Sequence, residues 1–426
     1  MIIVMFVIIF FLLVLLNIPI AFSLGVSTVV GFVLSELPLK ALPFRVWRGL
    51  EFYSLVAIPL FIFAGELMSQ GGIINRLLEF AKLFVGKFRG GLYYVNILVS
   101  MLFGGINGAA VADTSAVGAM LIPPTIKEYK DPPLAAAVTA CSSVVGPMIP
   151  PSVPMLLYAM VAGNVSVGAL FLAGIIPGVM LGFGMMLILR TSKRISSLSR
   201  STETYSFKKI VLIIAKALPV ALLPAIMVGG IVSGIFTPAE SGCAAVLYAL
   251  FAGFFITREL NFKKLFEAGI NTVLTTAVVF FIVAIVFASL WFLNLNDLST
   301  FVSEKINAIV SSQFQFLLLV MVIYLIAGMF LDPGAGIIMF VPVLLPIALH
   351  YGVNPIQFGL ITCLAMFIGL VTPPVGLCLF LAGDIANTSI DKVFRAAFPL
   401  IFLELIVLVI VAFFPASYMW IPDLFY

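Results

Sequence analysis

The chain has 426 residues, of which 63% are hydrophobic and 9% charged, and its mean hydropathy is +1.26. That balance excludes a soluble globular domain and makes the lipid bilayer the solvent. The net charge is +4, with bases gathered between apolar segments, a pattern of membrane topology and not of nucleic-acid binding.

Met1–Leu16 lacks a basic leader and a small-residue cleavage site, so it is expected to be a first membrane helix and not a removed signal. Further spans are expected at 20–36 and 53–71, a re-entrant hairpin at 92–125, a broken span at 134–162 and a span at 166–189. A basic loop follows, with Arg190, Lys193, Arg194, Arg200, Lys208 and Lys209. Then come spans at 210–232, 239–257 and 266–293, a second hairpin at 314–348, a second broken span at 358–383 and a last span at 396–418.

The two broken spans share a pattern. The first reads Gly146 through Pro154, with Pro150, Pro151 and Ser152, and the second Gly369 through Gly376, with Thr372, Pro373, Pro374 and Val375. Paired prolines remove amide donors and clash with the preceding turn, so each helix must open there. Opened backbone at membrane depth is tolerated only inside protein or along a cavity, which marks a transporter's substrate site.

A shift of 223 positions aligns 104–167 with 327–390 without a gap and gives 13 identities over 64 positions. Most fall on residues that control backbone shape, among them Gly105/Gly328, Pro132/Pro355, Gly146/Gly369, Asn164/Asn387 and Ser166/Ser389. Charge then orients the copies. Arg76, Lys82, Lys87, Arg89, Lys127 and Lys130 flank the first hairpin, but only Lys305 and His350 flank the second. The first hairpin is therefore expected to be anchored in the cytoplasm and the second outside, as an inverted-topology repeat. Lys40, Arg45 and Arg48 run against this scheme.

The predicted fold class is an all-α polytopic membrane protein with two re-entrant helical hairpins and two broken helices. Residues 72–87 and 297–311 carry apolar stripes of helical period and are expected as interfacial arm helices. The first stripe comprises Ile73, Ile74, Leu77, Leu78, Ala81 and Phe84. The expected division is scaffold and first arm at 1–91, transport half one at 92–170, scaffold and second arm at 171–313, transport half two at 314–395 and a scaffold span at 396–426.

Glycine-rich tips turn sharply and leave carbonyls unpaired, and hard oxygens suit an alkali cation. Two sodium sites are expected. One would use Gly105, Asn107, Gly146, Ile149 and Ser152, and the other Gly328, Asp332, Gly369, Thr372 and Val375. Asp113 either serves an ion or caps a helix starting at Thr114. Glu66, Glu240 and Glu404 are read as structural or subunit contacts. The tips and breaks contain no Arg or Lys, so an anionic substrate would rest on helix N-termini, amides and hydroxyls, with bound sodium supplying charge. The candidates are Thr114, Ser115, Ser142, Ser143, Ser152 and Thr372, together with the opened backbone at Pro150, Pro151, Pro373 and Pro374. Each hydroxyl could equally make a helix–helix hydrogen bond. Cys141, Cys243, Cys363 and Cys378 show no ligand spacing and His350 is the only histidine. No catalytic constellation is expected, and no cofactor beyond the sodium ions.

Taken together, Ile58 through Gly65, Arg89 through Leu92, Asn107-Gly108, Ala112 through Thr114, both breaks, and Gly234 through Glu240 resemble the large membrane (M, DctM-like) subunit of tripartite ATP-independent periplasmic (TRAP) transporters. The resemblance runs through nearly the whole chain. It implies sodium-driven import of an organic acid, of sialic acid or C4-dicarboxylate type, by an elevator motion. It also implies two partners, a small four-helix membrane subunit and a periplasmic substrate-binding protein, and a bacterial inner-membrane location. No further segment precedes the first M-type span, so the small subunit is expected to be a separate polypeptide. The alternative is a stand-alone sodium/carboxylate symporter that needs no binding protein.

Overall fold

The computed structural model describes residues 2–16, 18–198 and 206–426. The side chains of Leu15, Tyr53, Ser54, Ile106, Asn107 and Ser299 lie outside the described residues, as does Arg200 of the basic loop. Among the described residues the regular elements are helices, and there are no strands. Helices α1 (Ile2–Leu15), α2 (Ile20–Leu34) and α3 (Ala41–Arg48) lead to α4 (Ala57–Gln70) and α5 (Ile73–Val85). The first hairpin is α6 (Gly91–Asn107) and α7 (Ala110–Tyr129), and the first broken helix is α8 (Pro132–Val145) and α9 (Val153–Ala162). Next come α10 (Val167–Thr191), α11 (Lys193–Ser196), α12 (Phe207–Val232), α13 (Pro238–Phe251), α14 (Phe262–Leu295) and α15 (Leu298–Ile309). The second hairpin is α16 (Gln313–Phe330) and α17 (Pro333–His350), and the second broken helix is α18 (Pro355–Gly369) and α19 (Leu377–Ile385). Helices α20 (Ile390–Phe413) and α21 (Ala416–Met419) close the chain. Among the described residues, seven helices are long and apolar enough to cross a membrane, or up to nine if each bent pair counts as one span.

The helix ends repeat. α6 and α16 end at Asn107 and Phe330, α7 and α17 begin at Ala110 and Pro333, and α8 and α18 begin at Pro132 and Pro355. α9 and α19 end at Ala162 and Ile385, and α10 and α20 begin at Val167 and Ile390; every pair is 223 residues apart. Caps explain why the shared residues are polar. Asp131 and Asn354 accept a backbone N–H in the first turn of α8 and α18, each followed by proline. Ser166 and Ser389 are the N-cap residues of α10 and α20.

The two copies clasp each other. α7 packs on α19 and α17 on α9, so each hairpin leans on the other copy's broken helix. α20 runs along α8, α18 and α10, while α4 packs chiefly with α13 and α14. In lipid there is little hydrophobic gain from joining helices, so close packing of small residues carries the association. Gly104 and Gly146 touch backbone to backbone: a Cβ on either would run into the Cα of the other. In the second copy a Cβ on Gly369 would run into the Gly328 backbone, while a Cβ on Gly328 would meet the Met366 backbone. The contact is repeated but slips by one residue, because Gly104 aligns with Ala327 and not with Gly328.

The chain turns by 72° between α4 and α5, and Ile73, Ile74, Leu77, Ala81 and Val85 bury one face of α5. The predicted stripe is thus narrower, since Phe84 is exposed and Leu78 only half-buried. α15 buries less of its stripe, leaving Phe301 and Ile309 exposed. Arg45, which ran against the charge scheme, lies 4.1 Å above the Trp291 ring, a cation–π contact that offsets a charge at that end of α14.

Candidate functional site

A cavity of about 170 Å³ lies where the two hairpin tips meet the α4–α14 pair. Gly108 through Ala112 and Asp332 through Gly334 supply the tips, Val153, Pro154 and Leu157 the start of α9, and Phe367 and Leu370 the second break. Ile62 and Glu66 of α4 and Thr275 and Val279 of α14 form the opposite wall.

Three helix N-termini border this space. α7 starts at Ala110 with no side-chain cap, α9 starts at Val153 and α17 at Pro333. The first N–H groups of a helix have no partner inside it and carry partial positive charge, so such ends attract anions. Ser152 Oγ accepts from Met155 N at 3.4 Å, and Asp332 Oδ1 accepts from Gly334 N at 2.9 Å. Among the described residues the lining contains no Lys or Arg, and its carboxylates are Asp332 and Glu66. The arrangement offers main-chain dipoles to an anion beside two carboxylates.

The first break receives the first tip. The site of a Gly105 Cβ lies 3.3 Å from the Ile149 carbonyl oxygen and 3.4 Å from that of Pro150, and a Cβ on Gly108 would lie 3.0 Å from Val153 N. Gly105, Gly146, Ile149 and Ser152 are thereby brought to one place, while the Asn107 side chain lies outside the described residues. At the second break, Gly328 and Gly369 touch. Thr372 Oγ1 donates to the Ile368 carbonyl at 2.8 Å, and Asp332 caps α17 on the wall of the central cavity. The Pro150–Pro151 and Pro373–Pro374 peptide bonds are both cis.

The hydroxyls proposed to touch substrate are engaged elsewhere. Thr114 donates to the Ala110 carbonyl at 3.0 Å and Ser115 to that of Ala112 at 2.9 Å. Ser143 donates to the Thr139 carbonyl at 2.8 Å. Ser142 Oγ lies 3.2 Å from Asn96 Oδ1 and 3.1 Å from Ser100 Oγ, and Asn96 Nδ2 donates to Thr139 Oγ1 at 2.6 Å. These four residues and the four break prolines are not among those lining the cavity. Asp113 lies inside α7 and does not cap it. It is buried near Ser100 and Ser143, with neither carboxylate oxygen making a well-formed hydrogen bond. Glu404 on α20 is likewise buried, with both oxygens unpartnered among the described residues. Glu240 completes a capping box: it accepts from Thr237 N at 2.8 Å, and its own N–H donates to Thr237 Oγ1 at 3.3 Å.

The sequence reading gives Glu66 a structural or subunit contact and does not name Thr275. A signal was present: Asn271, Thr272, Thr275 and Thr276 cluster in the apolar 34-residue α14, and Asn271 Nδ2 lies 3.5 Å from Glu66 Oε2.

The tripartite ATP-independent periplasmic transporter family, DctM component, matches residues 7–417. The chain belongs to the DctM family. It is a membrane subunit of a TRAP transporter and a multi-pass protein of the inner membrane. It is 34% identical over 380 residues to the sialic acid TRAP transporter large permease protein SiaM of Vibrio cholerae, covering 88% of each chain. It is 33% identical over 402 residues to the C4-dicarboxylate TRAP transporter large permease protein DctM of Pseudomonas aeruginosa, covering 94% of each. Among solved structures it is similar to the YdaH transporter of Alcanivorax borkumensis, with a TM-score of 0.59, 14% identity and 90% of each chain covered. That likeness concerns the fold alone.

Proposed function

We propose that this chain imports an organic acid, of sialic acid or C4-dicarboxylate type, on a sodium gradient. It would work with a small four-helix membrane subunit and a periplasmic substrate-binding protein. The observation that carries the reading is the meeting of three helix N-termini at one cavity with no basic side chain among the described residues that line it. An anion held by main-chain dipoles beside Asp332 and Glu66 needs those charges offset, and sodium at the two tip–break junctions supplies the offset. Sodium then becomes a condition for binding the acid, which is the physical basis of symport. The junction residues are Gly105, Asn107, Gly146, Ile149 and Ser152 in one copy, and Gly328, Gly369, Thr372 and Val375 in the other. Asp332 acts from the cavity wall.

The motion follows from size. Small-molecule sites hold about 300–1,000 Å³, and the cavity of about 170 Å³ is smaller than that. One wall belongs to the hairpins and breaks, the other to α4 and α14. Sliding the first body past the second opens the cavity and carries it across the membrane, as an elevator. The repeat is read as inverted, with both hairpins re-entrant. The packing of α20 on α8 and α18, and of α10 on α20, argues for α10 and α20 travelling with the hairpins. That redraws the moving body as α6–α10 and α16–α20.

The test is uptake in proteoliposomes holding both membrane subunits, with binding protein and labelled acid outside. Uptake is expected to need an inward sodium gradient. Undiminished uptake with no sodium present overturns the coupling, and full uptake without binding protein establishes the stand-alone symporter instead.

A further inference from the structure

A second and larger cavity, of about 910 Å³, opens far from the hairpin tips, where α5 ends, α6 begins and α10 runs into α11. Its polar end holds Lys87, Arg89 and Arg190, and no acidic residue lines it among the described residues. The carboxylate pairs among the described residues are Arg48–Glu51, Arg76–Glu259, Arg194–Asp131 and Lys263–Glu267, so none of these three cations is neutralised there. Arg89 Nη1 donates to the Ser196 carbonyl at 2.7 Å, which spends one of its five N–H groups and fixes the guanidinium at the rim. Below the cations the lining turns apolar. Phe183 and Leu187 are 62% and 63% exposed and lie on the same face of α10 as Arg190, seven and three residues before it. Unbalanced cations at the end of a span, above an apolar stripe that runs along it, match the two ends of a phospholipid. A free phosphate would engage only the upper part.

We propose that this cavity binds an anionic phospholipid, with its phosphate among Lys87, Arg89 and Arg190 and an acyl chain along Phe183 and Leu187. Basic pockets between membrane helices take anionic headgroups for this reason. Lys87 and Arg89 lie in the link between α5 and α6, and Arg190 ends α10. One bound headgroup therefore ties the first arm to the helix that follows the first break. The assignment depends on α10 crossing the bilayer and is independent of sodium coupling.

The intact chain, purified in detergent and stripped of lipid, would be titrated with phosphatidylglycerol, phosphatidylcholine or inorganic phosphate. Native mass spectrometry reads the adducts and a thermal melt reads stabilisation. Phosphatidylglycerol is expected to bind and raise the melting temperature, and the other two are not. Lys87→Gln with Arg190→Gln is expected to weaken phosphatidylglycerol about tenfold or more, from roughly 1 kcal/mol lost per base. Lys263→Gln, whose partner is Glu267, leaves binding unchanged. Leu187→Trp fills the apolar limb and also weakens binding. Equal binding of the two lipids overturns the proposal, as does stabilisation by inorganic phosphate alone. Undiminished phosphatidylglycerol affinity in a Lys87→Gln, Arg190→Gln protein that melts as a folded chain overturns it too.

Discussion

The seam between hairpin and broken helix is built from different chemistry in the two copies. In the first, Asn96 and Ser100 of α6 meet Thr139 and Ser142 of α8 in a buried hydrogen-bonded ladder, with Asp113 close by. Their counterparts are Leu319, Ile323, Thr362, Ala365 and Gly336. Only the threonine survives, its hydroxyl lacking a well-formed hydrogen bond and lying beside Tyr324. At the tips the acidity moves instead, since Asp332 aligns with Ala109. The backbone plan is thus shared while the polar load is divided, one copy placing it in the seam and the other at the cavity.

The largest effects should come from the shared backbone contact. Gly104→Ala, Gly146→Ala and Gly369→Ala each force a Cβ into backbone, and each is expected to cost about 1–3 kcal/mol or more, read as lost folded yield and a lower melting temperature. Gly328→Ala belongs with them, because its Cβ would lie 2.6 Å from the Met366 carbonyl oxygen. Gly105→Ala meets only contacts of 3.3 Å and longer and is expected to be milder. Equal damage from Gly105→Ala and Gly328→Ala breaks the one-residue slip between copies. Next, Asn96→Leu imposes the second copy's residue on the first and strands its partners in the ladder, at about 1–3 kcal/mol. A double-mutant cycle with Ser142→Ala should give a coupling of about 0.6 kcal/mol, the usual size in membrane bundles. No coupling would mean the ladder is not a unit. Asp332→Ala loses a cap worth about 1 kcal/mol and, on the proposed coupling, flattens the sodium dependence of uptake. Smallest is Ser152→Ala, whose longer cap bond of 3.4 Å places it near the low end, about 0.5 kcal/mol, in the same melt.

Much of this was legible because the residues that set backbone shape are rare among apolar ones. The paired prolines marked both breaks, and the Asp131-Pro132 and Asn354-Pro355 pairs sit at the starts of α8 and α18. What could not be read was neighbourhood. An apolar helix such as α20 announces that it spans the membrane but not that it packs on α8 and α18. Hydroxyls have the same ambiguity: Ser142 and Ser143 look alike in sequence whether they face a ligand or a helix, and here they face α6 and their own helix turn. Nor does the sequence show what faces Glu66, because the helix opposite it, α14, is folded in from some 200 residues away.

The clasp of α7 on α19 and α17 on α9 sets a timetable for synthesis. When the first hairpin and its broken helix have left the ribosome, the surface that α7 will cover does not yet exist; it arrives only with Leu377–Ile385. The first half must therefore wait in the bilayer with one face of α7 uncovered until α19 has been made.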